Sequence, residues 1–308
     1  MSSLLLLLAR NRADPIFDSF GAHPPRESTL RAETSDTELT SSTLLFSSAS
    51  IFNHSCDPNA LWTILGDVIA VRARVDIAEG DEIFVPYADN LDDDDEGNSV
   101  LSKHFPDGGC PCPVCKANRL DGPTRIGRRR HLMTTEYPKI RADLQTASTS
   151  SAPVPHTLAR RAKQLVIDLQ KTYSPSHRIS MRRALAQGEH WLSEVLGAQG
   201  QYEQAITHSL LSLQAQGCVI SPLPLAESAL TARVRDAPFA PASTAVNSLL
   251  VNTARSLRLG RIDAAWMWLK LAMQTADILN GGGKKLFEKM FGAVMSEVGV
   301  KDLFLCMD

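Results

Sequence analysis

The chain has 308 residues, 44% of them hydrophobic, and a net charge of -2. That length supports one large or two ordinary globular domains, and no segment offers the ~18 uninterrupted apolar residues that would suggest a membrane span. The charge is unevenly spread, with 9 Lys/Arg against 20 Asp/Glu in residues 1–122 and 23 against 14 in the remainder. Two modules with different surfaces are expected, the first suited to a basic partner such as a lysine-bearing protein segment.

The opening "MSSLLLLLARNR" has a leucine run with no positive charge ahead of it, so no secretory leader is expected. Residues 13–44 are rich in Ser, Thr, Pro and charge, and 1–44 reads as an irregular N-terminal segment. Residues 51–62, "IFNHSCDPNALW", set Asn53, His54, Ser55 and Cys56 in a row ahead of the turn-forming Asp57-Pro58-Asn59. From Ala60, "ALWTIL", a Gly66-Asp67 turn and "VIAVRARV" predict a β-hairpin. One of its faces should be polar, carrying Arg72 and Arg74. "DEIFVPY", residues 81–87, reads as a short strand that Pro86 confines to an edge or bulge. The acidic run at 92–96 predicts an exposed loop.

Residues 123–156 read as connector and linker, because "QTASTSSAPVPH" at 145–156 has linker composition. The basic run "RIGRRRH" at 125–131 lacks the interleaved aromatics that would make it a nucleic-acid surface. Beyond it, residues 157–308 read as almost wholly helical. Leu158, Ala162, Leu165, Val166 and Leu169 fall at helical spacing, as do Leu185, Trp191, Leu192, Val195 and Leu196 ahead of Gly197. "GQYEQAI" at 200–206 and "GRIDAAW" at 260–266 look like two copies of a tetratricopeptide-type turn, with Trp266 and Trp268 as packing residues.

Six cysteines occur, and Cys110, Cys112 and Cys115 lie within six residues. Clustered thiols in a chain of this size favour a reduced compartment, nucleus or cytoplasm, and a metal. Structural zinc takes four N or S ligands. Spacing leaves the fourth open among Cys56, Cys218, Cys306, His104 and His131.

"NHSCDPN", then "GDEIFVPY" about twenty residues later, then Cys-x-Cys-x-x-Cys resembles the C-terminal half of a SET domain with its post-SET zinc loop. The family is the protein-lysine methyltransferases that use S-adenosylmethionine, and the helical tail is similar in type to that of the SET-and-MYND subgroup. The fold class implied is α+β: a partial SET-type β-fold with a zinc loop over residues 45–122, then a helical, tetratricopeptide-like domain. The resemblance implies Tyr87 at the methyl-transfer channel, Asn53, His54 and Phe105 at the cofactor, and Cys56 as fourth zinc ligand beside Cys110, Cys112 and Cys115. It also implies a protein substrate with a target lysine, histones among that class. No stretch before Asn53 matches the family's glycine-bearing opening, and the cysteines of a MYND finger are not seen. S-adenosylmethionine is therefore expected to bind weakly, and the contrasting reading is a catalytically silent, zinc-stapled interaction scaffold.

Overall fold

The computed structural model describes residues 8–10, 43–45, 49–65, 68–87, 105, 110–149, 153–175, 177–222, 231–238 and 242–306. The Gly66-Asp67 turn, the acidic run at 92–96, His104 and most of 1–44 lie outside them. Two strands flank that last stretch, β1 (Leu8–Arg10) at the end of the leucine run and β2 (Thr43–Leu45), paired antiparallel. Strand β3 (Asn53–His54) runs parallel to β6 (Phe84–Val85). Strands β4 (Ala60–Leu65) and β5 (Val68–Ala73) form the expected antiparallel hairpin, in register from Ala60↔Ala73 to Leu65↔Val68.

Helix α1 (Pro113–His131) starts in the cysteine loop and is kinked at Gly122, whose φ of 76° suits glycine, ahead of Pro123. A π-turn (Leu132–Glu136) leads into α2 (Tyr137–Thr149), followed by α3 (His156–Lys171) and α4 (Arg183–Ala198). The apolar stripe of α3 is buried as its period predicts. Leu158, Leu165 and Leu169 join Leu132, Tyr137, Ile140 and Leu144 from before the expected linker, and Leu192 and Val195 from α4, in one cluster. Each such Leu contributes about 1.5–3 kcal/mol on full burial.

Residues 132–149, read as connector and linker from composition, are thus part of the helical core. The hydroxyls of Thr146, Ser148 and Thr149 donate to the carbonyls of Ala142, Leu144 and Gln145 one turn back. The Ser/Thr content is satisfied inside a helix that Leu144 and Ala147 anchor.

Helices α5 (Tyr202–Ala215), α6 (Ala242–Arg258), α7 (Ile262–Asn280), α8 (Gly283–Glu297) and α9 (Lys301–Leu305) build a second cluster, with Trp268 at its centre and Trp266 against its side. The two similar heptapeptides are the turns of two like helix pairs. Gly200 and Gly260 have φ of 75° and 70°. The next amide donates back in each case, Gln201 to Leu196 and Arg261 to Ser256, both at 2.9 Å. Ala205 and Ala265, a turn further on, are fully buried and let the paired helices approach. Gly260→Ala is expected to destabilise by about 1 kcal/mol, read from urea denaturation, because alanine pays the left-handed backbone cost. Nothing lies within 4 Å of an added Cβ there, so a loss several times larger would mean that backbone conformation is not the cause.

Two features depart from the sequence reading. A hairpin, β7 (Val219–Ser221) with β8 (Arg233–Asp236), interrupts the helices. The β4–β5 hairpin does not present a solvated polar face, because its arginines cross to the helical region. Arg72 donates to the carbonyls of Asp277 (2.7 Å) and Ile278 (2.8 Å) at the end of α7, where a cation also meets the helix dipole favourably. Arg74 is buried and donates to Pro58 O, Ala237 O and Asp57 Oδ1, while the Ala237 amide donates to its carbonyl at 2.8 Å. Burial pulls the Arg74 guanidinium below its usual pKa and the Asp57 charge opposes that. These bonds tie the strand-rich segment to the helices, so the charge reversal along the chain does not mark two detached bodies. Among the described residues no helix is long and apolar enough to cross a membrane.

Candidate active site and metal centre

The chain passes through the site twice, as β3 and as β6. Past the ladder the Ser55 amide donates to Val85 O at 3.3 Å. The ladder ends at the His54↔Val85 pair. The Tyr87 amide instead donates to His54 Nδ1 at 3.0 Å, and the Tyr87 hydroxyl donates to Phe52 O at 2.8 Å. Tyr87 is therefore tied at both ends to residues 52–54. Two side chains hold the second pass in place. Asn59 accepts from the Phe84 amide and donates to Glu82 O, both at 2.8 Å, and Trp62 Nε1 donates to Pro86 O at 2.9 Å. Sequence reading gave Asn59 only a turn and Trp62 only a strand position. An amide-bearing residue three places after a cysteine carries no local sign that it will clip a strand 25 residues away.

The second pass also lies against the cysteines. The Sγ atoms of Cys56, Cys110, Cys112 and Cys115 all lie within 4.8 Å of one another, and Cys56 and Cys115 are 3.5 Å apart. Tetrahedral zinc with Zn–S of about 2.3 Å spaces its sulfurs by about 3.8 Å, so the four thiols fit that ion. All four are free of disulfides. Pro113 opens α1, and Cys112 at its N-cap accepts from the Cys115 amide at 3.4 Å, a position that favours an anionic sulfur. Among its neighbouring thiols Cys112 is pulled down to about 6. Its contact with Cys110 opposes the shift, and hydrogen bonds from Cys115 and Cys56 drive it. Cys56 is pushed far up, by its bonds with Cys110, Cys112 and Cys115 and then by burial. Four thiols this close cannot all ionise unless a cation joins them.

Comparison with known proteins bears on the same stretch: residues 16–88 match the family model described as SET domain. Residues 16–88 are a SET segment. The chain is 32% identical over 87 residues to the N-lysine methyltransferase SMYD2-A of Xenopus laevis, a stretch that is 28% of this chain and 20% of that protein. It is 35% identical over 79 residues to SMYD2 of Rattus norvegicus and 34% over 79 to SMYD2 of Homo sapiens, in each case 25% of this chain and 18% of the relative. The chain thus aligns with about a fifth of the length of the curated relatives it matches. The family match also takes in residues 16–44, which the motifs alone left outside the resemblance.

The residues singled out from sequence, within the SET segment and just beyond it, meet in one place. Asn53 is exposed and its amide donates to Glu82 Oε1 at 2.5 Å. His54 is buried, with its ring 5.0 Å from that of Tyr87 and 5.9 Å from that of Phe105. Tyr87 and Phe105 pack beside the cysteines. Burial, then the Glu82 charge, pushes the Tyr87 phenol above its ordinary value. Among the other candidates for fourth ligand, Cys218 sits in the C-terminal core, Cys306 is exposed, and His131 lies at the far end of α1 beside Thr135. Sequence reading missed the cover from the helical side. Met181 packs among the cysteines, and Arg183 Nη2 donates to Cys56 O from 127 residues away, contacts that no local pattern announces.

Proposed function

We propose that the protein is an S-adenosylmethionine-dependent protein-lysine N-methyltransferase whose structural zinc is held by Cys56, Cys110, Cys112 and Cys115. The observation that carries the reading is Tyr87, held at both its amide and its hydroxyl where the two motif strands of the SET segment pair. Asn53, His54 chiefly through its backbone groups, and Phe105 are the residues that would face the cofactor, which supplies an electrophilic methyl group when bound.

Methyl transfer to an amine is an in-line displacement, so the protein must present a neutral lysine nitrogen on a fixed approach. A phenol has one proton to donate, and that of Tyr87 is directed to Phe52 O. Toward a substrate the oxygen therefore offers acceptor lone pairs, which orient the amine through its N–H and leave the nitrogen lone pair pointing at the methyl. The raised phenol pKa keeps the oxygen neutral, so it does not compete as a nucleophile. The acidic side chains of Glu79, Asp81 and Glu82 are exposed just ahead of β6 and favour approach of a cationic lysine-bearing segment. SMYD2 relatives are named N-lysine methyltransferases, which supports the substrate class.

A radiolabelled-methyl assay on lysine-rich proteins, histones included, with calorimetry of S-adenosylmethionine binding, tests the reading. Tyr87→Phe is expected to lower turnover on the order of 10²-fold, the scale of misplacing a reacting group, with zinc content unchanged. Transfer unaffected by Tyr87→Phe removes the catalytic assignment, and absence of cofactor binding sinks the enzyme reading in favour of the scaffold.

A further inference from the structure

We infer that His54 acts through its side chain, as a positioning residue that couples the four-cysteine centre to Tyr87; this deepens the methyltransferase reading and rests on it for its consequence in turnover. The geometry is specific. A backbone amide can only donate, so the 3.0 Å bond from the Tyr87 amide makes His54 Nδ1 an acceptor. The ring proton of a neutral imidazole then sits on Nε2, and Nε2 lies 3.3 Å from Cys56 Sγ. The imidazole donates to a metal-ligating sulfur on one side and fixes the backbone of Tyr87 on the other.

Three further observations make this more than a packed histidine. His54 is 4% exposed, so water does not replace either partner. The β3–β6 ladder ends at His54↔Val85, and the Tyr87 amide, next in line on β6, donates to the His54 ring. Phe105, the aromatic residue nearest the cysteine loop in the sequence order, rests 5.9 Å from the same ring. One side chain thus touches the metal ligand, the residue at the reaction channel and the aromatic cover. A partner that donates to a ligating atom orients the ligand and tunes its basicity. Here the same partner transmits the position of Cys56 to Tyr87.

The two nitrogens can be separated by substitution. Asparagine at 54 keeps an acceptor near the Nδ1 position and loses the reach to Cys56, whereas glutamine keeps a donor near the Nε2 position and loses the acceptor for Tyr87. In the full chain loaded with zinc, His54→Asn is expected to release zinc to a competing chelator with affinity weakened about 10-fold or more, while hydrogen exchange at the Tyr87 amide stays slow. His54→Gln is expected to retain zinc and to speed exchange at Tyr87, with kcat falling more than KM rises. In the wild type, removing zinc with chelator should speed exchange at the Tyr87 amide.

Unchanged exchange at Tyr87 after zinc removal overturns the coupling, as does a pair of variants that lose zinc and amide protection together to the same extent. A chain that takes up no zinc at all overturns it as well. Metal retention and amide exchange are read without turnover. If both behave as expected and no methyl is transferred, the enzyme reading fails while the coupling stands.

Discussion

Cys56→Ser is expected to bring zinc content down from about one ion per chain to near zero under dialysis, and to unfold the cysteine loop. The expected size follows from what the ion does in such sites, where binding and local folding are one event of about 10–16 kcal/mol. Without the ion, the site gathers four thiols around a single locus, with Cys56 forced to hold its proton by its neighbours. Removing Cys56 also takes away the ligand nearest the SET strands, since the other three belong to the loop that starts α1. The loss should spread to Tyr87 and to Arg183, which donates to Cys56 O. Cys218→Ala and Cys306→Ser are the controls, because neither side chain approaches the cluster. Metal analysis with near-ultraviolet circular dichroism reads both effects. Zinc retained in Cys56→Ser and lost in Cys218→Ala would reverse the ligand assignment.

What could be read from the sequence is what short-range physics dictates. Helix α3 was legible because five apolar side chains repeat at helical spacing and nothing interrupts them. The cysteine loop was legible because three thiolates have no reason to collect in a polar loop other than a metal, and because the family resemblance named Cys56. Contacts at long range were not legible. Arg72 and Arg74 alternate with apolar residues as solvent-facing side chains would, yet their guanidinium groups end on carbonyls of residues 277, 278 and 237. The Ser/Thr-rich stretch at 145–149 has linker composition but belongs to a helix, since hydroxyls that bond one turn back look the same in a list of residues as hydroxyls in water. His54 was assigned to the cofactor by resemblance. In the fold both of its ring nitrogens are already engaged, by Cys56 and by the Tyr87 amide.

The buried carboxylate of Asp121 is the second place where one substitution should have a large effect. Asp121 sits just before the Gly122 kink of α1, fully out of water, and pairs with Arg129 from the other half of that helix. Its Oδ1 accepts from the Ser174 amide at 2.7 Å, and its Oδ2 also lies 3.0 Å from His177 Nδ1. Arg129 in turn donates to Thr172 Oγ1 and O, and its guanidinium lies 3.6 Å over the Tyr173 ring. The carboxylate thereby holds both halves of α1 to residues 172–177, the stretch that leads to Met181 and Arg183 at the cysteine cluster. Asp121→Asn is expected to cost about 3–5 kcal/mol, because it removes the negative member of a buried ion pair. Replacing both members by apolar residues of similar volume should recover most of that loss, which separates the broken ion pair from a packing defect. The pH dependence has a definite sign. Burial pushes the Asp121 carboxyl up, but the bonds from Arg129 and Ser174 outweigh it and hold the folded-state value below the ordinary one. Its contribution is therefore fully present above the unfolded-state value of about 3.9 and is lost as pH falls through the folded-state value. Urea denaturation should show a gap between wild type and Asp121→Asn at pH 7 that narrows once pH falls below about 4. A gap under about 1 kcal/mol at pH 7, the size of an exposed ion pair, would show that Asp121 and Arg129 are not the buried clamp on which the approach to the cysteine cluster depends.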